Sequence, residues 1–206
     1  MRRFLLISMS LIFLLPTSAS ADQLHYYMLL EPGNDRWYEG HGLWEPVSYH
    51  MTVTHYEGDV SIKVVERLFP YPMTWTEAWY IDASGDVWSC DPGDHSVRSI
   101  FLDLPLTPGK TWGEDWGEMG YHLYTVAGEV EVDTCFGPLT CVQVDWRHWT
   151  PGYPAEHDGY YRFHDGYGFI EYLYRDGYHV FEHFGVVEAV VPTQERSWSQ
   201  IKGLFR

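Results

Sequence analysis

Short apolar and aromatic segments alternate from side to side through most of this chain, and glycine-bearing turns cut them at intervals. That pattern suits a sheet and little else. Tyr49, Met51, Val53 and His55 alternate with His50, Thr52, Thr54 and Tyr56. Glu57-Gly58-Asp59 turns the chain, and Val60 to Leu68 returns as a second strand. Met73 to Asp82 reads as another strand, Ala83-Ser84-Gly85-Asp86 as its turn, and Val87 to Cys90 as its partner. Asp91-Pro92-Gly93-Asp94 breaks the chain before extended structure resumes over Val97 to Leu104. A loop rich in Trp and Gly is expected from Thr107 to Gly120.

The best-defined hairpin spans Tyr121 to Trp149. Val126, Val130 and Val132 share one face of its first strand, and Val142, Val144 and Trp146 share one face of its second. If Cys135 stands opposite Cys141, Val132 meets Val144 and Val130 meets Trp146, so both apolar sets fall on one side of the sheet. Directly opposed residues meet the Cα separation of about 5.5 Å that disulfides favour. A Cys135–Cys141 bridge is therefore expected in an oxidising compartment, with Cys90 left as a free, buried thiol. The same register sets Glu131 against Asp145 and Asp133 against Gln143. Calcium bound by Glu131, Asp133 and Asp145 would relieve that repulsion; the alternative is an exposed, screened acidic pair.

Toward the C-terminus, His157-Asp158-Gly159-Tyr160, His164-Asp165-Gly166-Tyr167 and Arg175-Asp176-Gly177-Tyr178 repeat a hairpin-turn dipeptide. Their unequal spacing predicts a tight meander and excludes a solenoid. Ser197-Trp198-Ser199-Gln200 starts a short helix in the tail. The fold class expected is all-β: an antiparallel curved sheet, half-barrel or open barrel, with a short C-terminal helix. Aromatic residues make up 17% of the chain, including 10 Trp, 16 Tyr and 10 Phe, ample material for its core.

Met1-Arg2-Arg3, the apolar run Phe4 to Leu15 and the small residues Thr17-Ser18-Ala19-Ser20-Ala21 have the form of a cleaved secretory leader. The run is too short to span a bilayer, which takes about 20 apolar residues. The expected division is a leader over 1–21, one β domain over 22–192 and a tail over 193–206, with the mature protein periplasmic or secreted and monomeric. Loss of Arg2 and Arg3 with the leader takes the formal charge from −16 to −18. Such acidity argues against nucleic acid and anionic membrane surfaces as partners.

Several segments resemble a group of exported bacterial β-rich proteins of unknown function. They are Tyr27 to Trp37, Pro105 to Trp112, the Val130 to Val144 hairpin with Gly137-Pro138-Leu139-Thr140-Cys141 at its turn, and Tyr160 to Ile170. In that group a Gly-x-aromatic-x-Cys-Val hairpin precedes an aromatic strand ending Gly-x-Gly. Here Leu139 replaces the aromatic residue, and Cys135 is extra. The resemblance implies an open antiparallel sheet or partial barrel and carries over no functional residue.

No Gly-x-Ser-x-Gly elbow, His-Glu-x-x-His, Cys-x-x-Cys or EF-hand loop occurs in the sequence. The eleven histidines are scattered, with His179 and His183 sharing a strand face. The feature left is the set of aromatic residues beside glycines, prolines and acids. Trp37, Trp112 and Trp116 are expected in loops, where they could stack on a glycan or line an apolar cavity. Binding of a small apolar molecule or glycan without catalysis is the leading expectation. A structural cell-envelope role and a glycoside hydrolase with paired carboxylates are the alternatives.

Overall fold

Aspartate and glycine at the turns set the strand boundaries. Asp82 Oδ1 accepts the backbone N–H groups of Ser84, Gly85 and Asp86 at 2.8, 2.9 and 3.1 Å, while Oδ2 accepts the Trp88 indole N–H at 3.0 Å. One side chain thus supplies the acceptors that the turn lacks and ties the next strand to it. Gly58 (φ 65°) turns a two-residue loop between strands closing at Glu57 and Val60. A computed structural model describes residues 28, 30–43, 45–69, 71–153, 155–177 and 179–190. The leader, residues 1–21, and the tail, 193–206, for which a short helix was expected, lie outside these. Among the described residues the only helical element is a single 3₁₀ turn, Gly117–Met119, and no helix is long and apolar enough to cross a membrane.

The strands are β1 Asp35–Gly42, β2 Pro46–Glu57, β3 Val60–Phe69, β4 Met73–Ile81, β5 Val87–Cys90, β6 Arg98–Leu102, β7 Thr111–Asp115, β8 Tyr121–Thr134, β9 Gly137–Trp149, β10 His157–His164, β11 Gly168–Asp176 and β12 His179–Val190. All lie in one antiparallel sheet, ordered β6-β5-β4-β3-β2-β1-β12-β11-β10-β9-β8-β7. Two six-strand meanders are therefore joined at β1–β12, and the two sheet edges, β6 and β7, are consecutive in sequence. The edges lie near each other. Phe101 of β6 packs on Tyr124 of β8 and Tyr161 of β10, with ring centroids 6.1 and 5.1 Å away. The Trp112 indole of β7 donates to the Phe101 carbonyl of β6 at 3.2 Å. Lys110 crosses the same seam to the Leu104 carbonyl at 2.8 Å and pairs with Asp103. The sheet is a nearly closed barrel, and side chains span the seam where no ladder runs. Bulges such as those at Trp37/Tyr38, Val126/Gly128 and Arg162/Phe163 supply curvature.

The expected hairpins β2–β3, β4–β5 and β8–β9 form, and three expectations are corrected. The Trp- and Gly-rich segment after Thr107 contains a strand, β7. Asp158-Gly159 is no turn but lies inside β10. There a Cβ on Gly159 would fall 1.9 Å from the Leu173 carbonyl oxygen and 2.9 Å from the Trp146 indole nitrogen. The glycine is a packing requirement: it lets Trp146 lie across β10 and stack on Tyr172 at 8°.

The third correction concerns β8–β9. Its turn is the tight pair Cys135-Phe136, between Thr134 and Gly137, and Gly137 takes the left-handed φ of 98° that such a turn needs. The register therefore sets Val126 against Val144, Tyr124 against Trp146 and Val130 against Cys141. The apolar sets still point to the core, but Cys135 sits exposed in the turn while Cys141 is buried, and all three cysteines are free thiols. The Cys135–Cys141 disulfide is not formed. Titration with a thiol reagent and no reductant should count one fast-reacting thiol in the native protein, lost in Cys135→Ser, and three after denaturation. A count of one after denaturation would restore the disulfide.

Candidate functional site

Three alternate residues of β4, Trp75, Glu77 and Trp79, project to the inner face of the barrel. The two indole N–H groups close on the acid between them: Trp75 Nε1 donates to Glu77 Oε1 and Trp79 Nε1 to Oε2, each at 3.1 Å. Lys63 stands directly opposite Glu77 on β3, and its Nζ lies 2.6 Å from Oε2 and 5.0 Å from the centre of the Trp79 ring. Burial alone would raise the Glu77 pKa. The Lys63 ammonium and the two indoles outweigh it and hold the carboxyl below its ordinary range.

This polar knot borders a cavity of about 290 Å³. Its walls come from both meanders: Tyr49 and Met51 of β2, Phe101 of β6, Tyr161 and Phe163 of β10, Phe169 and Tyr172 of β11, and Phe184 of β12. A second acid, Glu182 of β12, accepts the Tyr49 hydroxyl and lies 3.6 Å from Arg67, which sits over the Tyr49 ring. Burial drives the Tyr161 and Tyr172 hydroxyls well above the usual tyrosine pKa, so both are neutral donors. A neighbouring cavity of about 500 Å³ shares Glu77, Trp79, Phe101 and Tyr161 with the first and runs to the β6–β7 seam. The first cavity, the chamber, stands at the lower end of the size range of small-molecule sites.

The rings singled out in the sequence do not converge. Trp116 stands at the rim of the second cavity and is 44% exposed. Trp112 is not a loop residue: it is buried in the core and stacks on Tyr124 at 5.3 Å. Trp37 stacks on His50 at 4.2 Å, away from the chamber. His50 in turn bridges Asp35 and Glu66, whose carboxylates outweigh its burial and raise its pKa. Of the three acids suggested for calcium, Asp145 stands apart from Glu131 and Asp133. Glu131 faces Thr140 and Asp133 faces Pro138 near the hairpin tip. Asp145 faces Thr125 and accepts the Gln143 amide at 2.8 Å. The repulsion that motivated the ion is absent in this register, and no cluster of three metal-ligating side chains occurs among the described residues.

The chamber residues were missed because the Lys63–Glu77 contact depends on register. One signal was readable: an acid between two tryptophans at alternate positions of a predicted strand places a carboxylate on the aromatic, core-facing side.

No protein-family model matches the chain, and no curated protein matches it by sequence. Among solved structures, the barrel is similar to a protein of Bacteroides fragilis, provisionally described as exported and having a YmcC-like fold. The TM-score is 0.56 at 12% identity, covering 81% of this chain and 99% of that one. It is also similar to a provisionally described lipoprotein of Parabacteroides distasonis, with a TM-score of 0.51 at 9% identity, covering 80% and 98%. At these identities the likeness is one of fold.

Glu77 also tests the electrostatics. Its folded pKa lies below the unfolded value, so its contribution to stability is present above about pH 4.3 and is lost as pH falls through the folded value. Glu77→Gln leaves Lys63 without its counter-charge. At pH 7 it should cost on the order of 2 kcal/mol, less than for a fully sealed pair because the cavity keeps both groups partly accessible. The cost should shrink toward pH 3, as read from denaturant midpoints. An equal cost at both pH values would contradict the ionised pair.

Proposed function

We propose that this is an exported, non-catalytic binding protein that holds a small ligand with an apolar body inside the barrel. The observation that carries the reading is the chamber itself: about 290 Å³ of space walled by aromatic rings around an internally neutralised Glu77–Lys63 pair. A protein that served only as a scaffold would gain from filling that space, since cavities cost stability. The leader-like N-terminus, and neighbours in fold described as exported or as a lipoprotein, support a location outside the cytoplasm.

The hydrolase reading fares less well. A glycosidase needs one carboxyl group kept protonated to act as general acid. Glu77 is held ionised by Lys63 and two indoles, and Glu182 is occupied by Tyr49 and Arg67. Between the two ligand classes first considered, the walls favour an apolar body, while stacking of a sugar on Trp75 is the competing mode.

Titration of the intrinsic tryptophan emission with a fatty acid and, separately, with a soluble glycan tests the reading. The fatty acid should shift the emission with micromolar affinity. Trp75→Ala should weaken it about fivefold, the loss of roughly 1 kcal/mol of ring contact. Silence with both ligands would overturn the proposal. Turnover of a glycan that vanishes in Glu77→Gln or Glu182→Gln would replace it with an enzyme.

A further inference from the structure

Arg36 is the anomaly of the interior. It lies on β1 and is 6% exposed, yet both of its Nη atoms are buried without a hydrogen-bond partner among the described residues. Among the described residues no carboxylate pairs with it, whereas Lys63 has Glu77 and Arg67 has Glu182. The Tyr38 phenol lies beside the guanidinium as a weak, neutral neighbour, and its hydroxyl donates to the Phe169 carbonyl at 3.2 Å. Burial lowers the Arg36 pKa, with only Tyr38 acting against it; an arginine still keeps its charge. A buried cation without a counter-charge destabilises the fold, and an apolar residue of similar size would remove that cost.

Its place in the barrel gives the charge a use. Arg36 stands directly opposite Met51 in the β1–β2 ladder, so the two share a face, and Met51 lines the chamber. Met28 lines the same cavity. Methionine is unbranched and readily changes rotamer, so the cavity wall can yield at Met51, the ladder neighbour of Arg36. The two unpartnered atoms are the two Nη atoms, the pair that grips a planar carboxylate end-on through two parallel hydrogen bonds.

We infer that the chamber takes an amphiphile with a carboxylate head, and that Arg36 is the residue that binds the head. The inference rests on the reading of the chamber as a binding site and names the class of its ligand. The apolar chain lies among the rings of β2, β10, β11 and β12. The head displaces the Met51 side chain and completes the hydrogen bonding of the guanidinium.

Calorimetric titration of the full mature chain with dodecanoate and with dodecanol separates this inference from the reading beneath it. The acid should bind at least tenfold more tightly than the alcohol. Arg36→Met should abolish that preference and raise the melting temperature of the ligand-free protein. If Arg36→Met does not fold, Arg36→Gln should abolish the preference in the same way. Equal binding of acid and alcohol by the wild type would overturn the anchor while leaving the chamber a binding site. A preference that survives loss of Arg36 would also overturn it. Binding of neither ligand would remove the chamber reading and the anchor together.

Discussion

The ladder between β1 and β12 is the constraint on which the rest of the barrel depends. Each meander is a series of local hairpins that its own turns can specify, but neither can enclose space alone. Pairing Asp35 with Val190 through Gly42 with Glu182 joins them into one twelve-stranded sheet. It leaves the edges at β6 and β7, close in sequence and brought close in space by curvature. The ladder needs close approach of the two backbones. A Cβ on Gly40 would lie 1.9 Å from the His183 carbonyl oxygen. It also sets Arg36 and Tyr38 facing inward, and carries Glu182 and Phe184 to the chamber wall opposite β4.

Inside that wall, charge is organised with little surplus. Removing an ion from water costs several kcal/mol, and a close partner with further hydrogen bonds offsets it only when the geometry is good. Glu77 meets that condition with one ammonium and two indole donors, and Glu182 accepts the Tyr49 hydroxyl and lies 3.6 Å from Arg67. The chamber can therefore be aromatic and charged together while Glu77 stays ionised. Arg36 breaks the pattern, which is why it draws a functional rather than a structural explanation.

Local structure was legible in the sequence. Alternation and turn residues located β2, β3, β4, β5, β8 and β9, and the valines of the β8–β9 hairpin pack inward, though divided between two clusters by the bulge at Val126/Gly128. What failed depended on contacts between distant segments or on competing uses of one residue. Asp158-Gly159 has the composition of a turn, but the glycine is needed where Trp146 crosses β10. Two cysteines near a turn suggested a register that the left-handed Gly137 and the bulge at Val126/Gly128 overrule. Trp112 read as a loop residue because β7 is short and glycine-bearing, and its burial comes from the seam to β6. The site was half visible: Trp75, Glu77 and Trp79 share a face by alternation alone, whereas Lys63 and Arg36 gain meaning only once the β3–β4 and β1–β2 registers are known.

The central claim is that the interior of this barrel, rather than its outer face or its exposed tryptophans, is where a ligand resides. A crystal of the protein soaked with a terminally brominated alkyl ligand tests it most directly, through the anomalous signal of the bromine. The account predicts a bromine peak inside the chamber, among Trp75, Tyr161 and Phe184. A peak confined to the outer surface near Trp37, or protein crystals saturated with ligand that show no interior peak, would contradict it.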